Sequence, residues 1–276
     1  YKVGFDKDLQ LNIKLQPEKN TQDVVVKGSK TISLQQQTQM SKISVPASFI
    51  KSMPRFLGET DVLKTLQLLP GVSQSIEGTG GLVVRGGTPD QNLILLDGVP
   101  VYNASHVFGV FSTFNSNALK NLELYKGGFP ARFGSRLSSV VDIITKDGNM
   151  KSIHGEGSIG LLAANLTLEG PIKKDKSSFL IAGRRSYIDL IVAPILKAGD
   201  NGIKKFAVYF YDFNIKFHQI LSDKDRLFFS FYNGNDFFKS NYVEGSETKY
   251  TDKGEIGWGN NIGTIRWNHV FNKKLF

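Results

Sequence analysis

The sequence contains no cysteine among its 276 residues. This absence excludes disulfide bonds, thiol catalysis and zinc sites built on cysteine. No apolar run reaches the roughly 18 residues that a transmembrane helix requires, and no signal peptide is visible at the start. The chain begins with Tyr1 instead of a methionine, so we expect that processing or further sequence precedes it.

Catalytic and ligand-binding motifs are also scarce. The sequence has no GxSxG motif, and its histidines are far apart, without a metal-ligand spacing such as HExxH. Asp97 and Asp142 lie in turn and strand contexts, and nothing in the sequence brings the two carboxylates together. We therefore predict that the chain is not an enzyme and has no metal site and no cofactor. The four histidines are His106, His154, His218 and His269.

Basic residues outnumber acidic ones, with 34 Lys and Arg against 25 Asp and Glu, for a formal charge of +9. Such an excess can favour nucleic acid or lipid headgroups. The densest basic clusters are short, and each lies between β-like runs. We interpret them as solvated turns and expect no nucleic-acid partner. They are Lys173-Lys174-Asp175-Lys176, Lys204-Lys205 and Lys273-Lys274.

The composition changes near residue 150, because residues 206–276 hold 18 of the 31 aromatics and residues 58–148 hold 13 of the 28 glycines. Upstream of the glycine-rich part, residues 1–15 end in an alternating strand, "LQLNIKL", which indicates the last strand of an upstream β domain. Residues 16–47 are polar and Gln-rich, as in a linker. Its island "QDVVVKG" suits either a strand of the upstream domain or an edge strand added to another protein.

Residues 48–148 show the pattern of a small α+β domain with a mixed sheet. A helix is predicted over residues 59–69, with Val62, Leu66 and Leu69 on one face and Pro70-Gly71 ending it. A second short helix is predicted from Asn115 or Ser116 to Leu119. The predicted strands are Leu82–Arg85, Leu93–Leu96, Leu122–Tyr125 and Val140–Thr145.

Residues 149–276 alternate at period two. The stretch "YFYDFNIKFHQI" places aromatic and aliphatic side chains on one face and Asp212, Asn214, Lys216 and His218 on the other. About five strands of about ten residues, joined by alternately short and long connections, are typical of a transmembrane β-barrel. The long connection is expected at residues 237–261. A soluble β-sandwich shares the alternation, but strand length and aromatic content favour the barrel.

Four stretches carry a resemblance to a known family: "DVLKTLQLLPGV" (61–72), residues 81–103, residues 106–148 and "FLIAGRRSYIDLI" (179–191). Over residues 16–276 the chain resembles a TonB-dependent outer-membrane receptor of the Bacteroidetes type, in the SusC-like class. In that class a carboxypeptidase-regulatory-like domain often precedes the plug. The resemblance implies an α+β plug followed by antiparallel transmembrane strands, a fragment of a barrel of about 22 strands, in the bacterial outer membrane.

The resemblance also assigns residues within the N-terminal linker and the plug. The island "QDVVVKG" resembles a TonB box, with which TonB would pair as an added strand. Its residues are Asp23, Val24, Val25, Val26 and Lys27. In "GLVVRGGTPDQNLILLDGVPVYN" the glycines look architectural, since no GxxxxGK[ST] phosphate loop is present. We predict that Arg85 pairs with a carboxylate on the inner barrel wall and helps to hold the plug; the alternative is an exposed charge.

The resemblance implies that substrate binds between plug loops and barrel loops. The best plug-side candidates lie at the plug apex and offer stacking surfaces and hydrogen bonds; the alternative is that these side chains only pack the plug against the barrel. They are Tyr102, Asn103, His106, Phe108 and Phe111. The implied function is plug-gated uptake of a nutrient. The alternative is a structural or accessory subunit of an outer-membrane assembly or secretion complex. The implied partners are TonB, outer-membrane lipids, and a surface lipoprotein or other envelope subunits.

Overall fold

A computed structural model describes residues 41–55, 58–75, 81–198, 203–244 and 250–272. The predicted upstream domain, most of the linker and the candidate TonB box lie outside the described residues. Residues 41–148 form an α+β domain, which we call the plug, and residues 154–269 supply a six-stranded sheet, which we call the wall. Both belong to one unit of the chain.

The plug is built on a five-stranded sheet in the order β1-β8-β9-β4-β5. The sheet is mixed, as predicted, because β4 and β9 pair in parallel while the other neighbours are antiparallel. The elements of the plug are β1 Lys42–Pro46, α1 Ala47–Ser52, α2 Val62–Gln67, β2 Val72–Gln74, β3 Leu82–Val84, β4 Asn92–Leu96, β5 Val99–Pro100, β6 Ser105–His106, β7 Phe111–Ser112, β8 Leu119–Tyr125 and β9 Ser139–Thr145.

The predicted helix over 59–69 is present in a shorter form, α2. Its N-terminus is fixed by Asp61, whose Oδ1 accepts a hydrogen bond from the Lys64 N–H at 2.8 Å. The other carboxylate oxygen accepts from the Ser112 N–H at 2.7 Å, which ties the helix to β7. Val62 and Leu66 are fully buried in the main core of the plug. The helix therefore forms because the Asp61 cap begins it and its apolar face packs in the core of the plug.

Two local predictions in the plug need correction. The expected helix near residues 115–119 is a turn, in which the Asn115 side chain accepts from the Asn117 N–H at 3.0 Å and Leu119 already begins β8. A good N-cap residue also stabilises turns, and here the sheet needs Leu119 and Leu122 in its core. The short helix α1 was not predicted; its Ile50 is buried in the same core.

The wall has six consecutive antiparallel strands, one more than the expected number. They are β10 His154–Ile159, β11 Ala163–Lys173, β12 Ser177–Ser186, β13 Ile203–Ile220, β14 Asp225–Glu244 and β15 Tyr250–His269. The predicted long loop at residues 237–261 was wrong, since β14 and β15 stay paired up to Glu244 and Tyr250. The stretch 179–191 is a strand only up to Ser186, and helix α3, Ile188–Ala198, follows it.

The alternation along the wall divides it into two faces, as predicted. On β13 the polar set Asp212, Asn214, Lys216 and His218 is buried, while the intervening Phe213 is exposed. On β15 the buried Ile262 packs in the plug core, whereas Ile265 and Trp267 are exposed. The wall therefore turns its polar face toward the plug and an apolar face away from it. No helix in the described ranges is long and apolar enough to cross a membrane.

The glycine-rich stretch that follows β3 is architectural in the structure. Gly86 has a positive φ of 80°, which favours glycine. A Cβ on Gly87 would lie 2.5 Å from the Ser138 Oγ, so the close approach of the loop before β9 requires the second glycine. Ser138 in turn donates to the Val84 carbonyl oxygen at 2.8 Å, which closes the loop over the end of β3.

Candidate functional site at the plug–wall interface

The plug and the wall meet through buried charged side chains that fall into two groups. The histidine cluster takes two residues from the plug and four from the wall: Glu59, His106, Arg184, Asp212, Tyr232 and Asp236. The lysine cluster joins Lys216 of the wall to Asp97, Thr145 and Asp147 of the plug. In the lysine cluster, all three plug residues contact the Lys216 amine of the wall directly.

His106 lies between two carboxylates of the wall. Its Nδ1 is 2.7 Å from Asp236 Oδ2, and its Nε2 is 2.8 Å from Asp212 Oδ1. A neutral imidazole can donate from only one nitrogen, whereas both of these carboxylates accept. Burial lowers the pKa of His106, but the charge of Asp212 and the hydrogen bonds to both aspartates outweigh it, so the pKa is raised. The geometry therefore fits the imidazolium form.

Arg184 is the buried cation of the histidine cluster. Its Nε donates to Asp212 Oδ2 at 2.7 Å, and its Nη2 donates to the Ser112 carbonyl oxygen of the plug at 2.6 Å. Glu59 of the plug completes the surroundings, with its Oε2 3.9 Å from Nη1. Burial raises the pKa of Glu59 more than the neighbouring Arg184 lowers it. A buried guanidinium needs such partners, because an unpaired charge in the interior is very costly.

The backbone at the plug apex is strained where it meets the histidine cluster. Val107 and Phe108 have φ of 50° and 52°, in the left-handed region that is costly for side chains with a Cβ. At this strained pair, the Val107 N–H donates to Asp236 Oδ1 of the wall at 2.8 Å. The His106 ring also stacks on Phe210 of the wall, with centroids 4.3 Å apart. The wall thus holds a backbone shape that the plug sequence alone would disfavour.

The lysine cluster surrounds one amine with plug oxygens. Lys216 Nζ lies 3.1 Å from Asp97 Oδ1 and 3.2 Å from Asp147 Oδ1, and it donates to the carbonyl and hydroxyl oxygens of Thr145 at 3.1 and 3.0 Å. Burial would raise the pKa of Asp147, but Lys216 and Lys120 hold it below its usual value. The amine therefore has an oxygen partner for each of its three donors.

A third contact joins the plug apex to β15. Asn260 accepts from the Asn103 N–H at 3.2 Å and donates from Nδ2 to the Asn103 carbonyl oxygen at 2.6 Å. Close by, the rings of Phe108 and Trp258 lie 5.0 Å apart. This amide pair fixes the loop in which Tyr102, the residue before Asn103, is exposed.

The structure separates the predicted apex residues into two sets. His106 and Phe111 are 1% and 2% exposed and pack against the wall, and Asn103 is bonded to it. Tyr102 and Phe108 are 86% and 63% exposed. His106 and Phe111 therefore make the contacts of the alternative interpretation, in which these side chains pack the plug against the wall. A substrate-facing role of the apex stays a prediction.

Arg85 is exposed in the structure and has a positive φ of 50°. Its N–H donates to the Gly71 carbonyl oxygen at 2.9 Å. Its guanidinium forms no ion pair with any residue in the described ranges, so its predicted pairing with a wall carboxylate stays a prediction. The candidate TonB box, residues 23–27, lies outside the described residues.

Sequence reasoning did not assign the charges that hold the plug: Glu59, Asp97, Arg184, Asp212, Lys216 and Asp236. One signal was available, because the period-two pattern already placed Asp212 and Lys216 on the inner face of β13. Charged residues on an inner face next to a separate domain must find partners there. Which partners they find depends on strand register, which the sequence did not give. In the described part of the chain, no group of His, Asp and Glu residues is arranged to hold a metal ion.

Comparisons with known proteins agree with this architecture. Residues 34–141 match the family described as the TonB-dependent Receptor Plug Domain. The fold is similar to the siderophore receptor PirA from Acinetobacter baumannii, at 17% identity and a TM-score of 0.53, over 81% of this chain and 40% of that chain. It is similar to FpvA of P. aeruginosa bound to heterologous pyoverdines, at 14% identity and a TM-score of 0.56, over 86% and 32%. No curated protein sequence matches the chain.

These findings confirm the coarser predictions. Residues 34–141 match the plug domain of TonB-dependent receptors, and the antiparallel strands are similar in fold to the barrel strands of a solved receptor. The match places the chain in the bacterial outer membrane, and receptors of the matched family are transporters and not enzymes. The chain spans 40% and 32% of the length of the two solved structures.

Proposed function

We propose, from the match of residues 34–141 to the TonB-dependent receptor plug domain, that the parent protein takes up a nutrient across the outer membrane through a plug-gated barrel. The observation that carries the proposal is the plug–wall interface. Two buried charged clusters hold the plug against the wall, and every ion pair in them crosses between the two bodies or supports one that does. Such an interface seals the pore at rest and must be broken or rearranged for passage.

Charged contacts suit a gate because a buried ion pair is costly to break while the interface is dry. Once the interface opens, water can replace each partner. Leaving one partner of a buried ion pair unpaired costs about 3–5 kcal/mol in a dry interface. When water enters, the same charges are solvated and the cost falls toward that of a surface pair, about 0–1 kcal/mol. An applied force therefore has to pull the plug from the wall only until water reaches the two clusters.

We propose that this force enters through the N-terminal segment. TonB would pair with Asp23, Val24, Val25, Val26 and Lys27 as an added strand. The first described strand after that segment, β1, lies at the edge of the plug sheet and, among the described strands, pairs only with β8. Tension on the segment would therefore load an edge strand first, which can be peeled without breaking the middle of the sheet.

The finer features follow from the resemblance and belong to the same proposal. We assign the parent to the Bacteroidetes type of the SusC-like class, with residues 1–15 ending a carboxypeptidase-regulatory-like domain. The wall would be part of a barrel of about 22 strands, since an open sheet edge in lipid leaves backbone groups unpaired. Arg85 would pair with a carboxylate of the wall, and Tyr102 and Phe108, which are exposed, are the apex residues best placed to contact substrate.

TonB coupling is the step that separates an importer from the competing hypothesis, a structural or accessory subunit of an envelope complex. The test is binding of the periplasmic domain of TonB to the purified full-length protein. Val25→Pro should abolish binding, because proline removes a strand hydrogen bond. Gln36→Pro, in the same linker but outside the TonB box, is the matched control and should bind normally. If the unmodified protein fails to bind TonB, the importer proposal is overturned and the subunit hypothesis takes its place.

A further inference from the structure

The loop that joins β6 to β7 at the plug apex has a backbone that its sequence disfavours. Residues 107–110 form this loop and read VFGV. Val107, Phe108 and Gly109 have positive φ in succession, at 50°, 52° and 96°. Hairpin turns with positive φ are dominated by Gly, Asn and Asp, because a Cβ lies too close to the backbone in this region. Of the three residues, Gly109 alone suits its conformation. We call residues 107–109 the apex turn.

The apex turn does not stabilise itself. Val107 is β-branched and Phe108 is bulky, and positive φ is a genuine outlier for both kinds of side chain. The bond that closes the turn is long, since the Val110 N–H donates to the Val107 carbonyl oxygen at 3.3 Å. Residues in such conformations persist where the surrounding structure holds them. The contacts that hold the apex turn must therefore lie outside it.

Asp236 of the wall supplies these contacts with both of its carboxylate oxygens. Oδ1 accepts from the Val107 N–H at 2.8 Å, and Oδ2 lies 2.7 Å from Nδ1 of His106, the residue before the turn. Asp236 is buried, so solvent has little access to either oxygen. Hydrogen bonds to an ionised group are short and stronger than neutral ones. The conformation of the apex turn is thus tied to the docking of the plug.

The Phe108 side chain gains little from docking. It is 63% exposed, and its ring lies 5.0 Å from the Trp258 ring of the wall. Burial of this side chain therefore contributes little toward its strained backbone. By contrast, Val107 packs in a small apolar cluster shared with the wall. In the docked plug the bonds to Asp236 offset the strain at Phe108, and once those bonds break the turn can relax.

We propose that docking strains the apex turn and that this strain favours release of the plug. The strain raises the free energy of the docked state and not of the released state, in which Val107 and Phe108 can return to negative φ. Breaking the two bonds to Asp236 therefore frees both the histidine cluster and the strained turn. The proposal rests on the proposed plug gate, since strain of this kind lowers the force that opens it. The strain itself can be measured without TonB.

Alanine and glycine substitutions of Phe108 separate backbone strain from side-chain contact. Phe108→Ala removes the ring and keeps the Cβ, whereas Phe108→Gly removes both and suits positive φ. The measurement is native-state hydrogen exchange of the Val107 amide in the full-length protein, corrected for intrinsic exchange rates, because this N–H is bonded to the wall. The opening equilibrium constant should be about five-fold lower in Phe108→Gly than in Phe108→Ala. The glycine is thus expected to tighten the interface.

Tyr102 provides the matched control position. It lies at the same apex, is 86% exposed and has no positive φ. Tyr102→Gly should open at least as readily as Tyr102→Ala, because glycine only adds conformational freedom there. The proposal is overturned if the two Phe108 variants open equally, or if the glycine variant at Tyr102 is also the tighter one. Failure of TonB binding would instead overturn the proposed gate and leave the measured strain unaffected.

The role of Asp236 is tested by the same measurement. Asp236→Asn keeps the shape of the side chain but presents one acceptor oxygen in place of two. One of the two bonds to the plug is then lost, and the apex turn can relax. The difference between Phe108→Gly and Phe108→Ala should therefore disappear in this background, as a double-mutant cycle records. The Asn103 amide, which is bonded to Asn260, gives a second readout. A difference that persists would exclude Asp236 as the residue that holds the strain.

Discussion

The histidine cluster and the lysine cluster hold the same plug to the same wall with different chemistry. The lysine cluster sets one wall amine against plug carboxylates and a threonine, and Asp147 keeps its charge because its pKa is lowered. The histidine cluster sets three carboxylates against Arg184 and an imidazole that must carry a second proton. The lysine cluster is therefore a permanent contact over the ordinary pH range, whereas the histidine cluster depends on the second proton of His106.

The largest expected effect comes from removing the cation of the histidine cluster. Arg184→Met leaves Asp212, Asp236 and Glu59 with only His106 to balance them, so plug docking should lose about 3–5 kcal/mol. The measurement is the urea concentration at which plug amides lose hydrogen-exchange protection while the barrel stays folded. Arg185→Met is the matched control, since the neighbouring side chain is half exposed on the opposite face. Equal shifts in both variants would contradict the assignment.

Removing the lysine of the other cluster should have a smaller effect. Lys216→Met leaves Asp97 and Asp147 without their shared amine, but Asp147 is partly exposed and keeps its ion pair with Lys120. We expect a loss of about 3 kcal/mol, at the low end for a broken buried pair. The same exchange measurement applies, with Lys239→Met as control because that lysine pairs with Glu255 in solvent. A loss larger than that of Arg184→Met would reverse the ranking of the clusters.

The proton dependence of the histidine cluster gives the third prediction. Because the pKa of docked His106 is raised, its stabilisation is fully present below the ordinary histidine pKa and is lost as the pH rises through the raised value. The plug should therefore be released at lower urea concentration at alkaline pH. His106→Asn should remove about 2 kcal/mol at low pH and flatten the pH profile. His154→Asn, at an exposed histidine, should keep the original slope; a slope unchanged in His106→Asn would exclude His106 as its source.

The smallest expected effect is at the apex amide pair. Asn260→Ala removes two hydrogen bonds to the backbone of Asn103 in a partly exposed setting, so we expect a loss of about 1 kcal/mol. Hydrogen exchange of the Asn103 amide should rise locally, with the charged clusters still protected. Asn268→Ala, farther along the same strand, should leave that amide unchanged. Exchange that rises throughout the plug would show that the apex pair acts on the whole interface.

Much of the architecture was predictable because it follows local rules. The period-two pattern of β13 gave the correct inner and outer faces, and the apolar face with Val62 and Leu66 gave helix α2. The glycine pair after Arg85 was correctly interpreted as architectural. The errors came where local signals are ambiguous. Asn115 suits a turn as well as a helix, and the polar stretch at 237–261 looks like a loop until the pairing of β14 with β15 makes most of it strand.

The sequence by itself determined the plug family, the alternation of the wall and the presence of inward charges. Only the tertiary structure decided which charges meet. His106 reaches Asp212 and Asp236 across 106 and 130 residues, and Lys216 reaches Asp97 across 119. Alternation assigns a side chain to a face, but a partner depends on strand register and on how the plug docks, since a shift by two residues preserves every face and changes every pair. The proton on His106 follows from that docking, because only there do two carboxylates meet one imidazole.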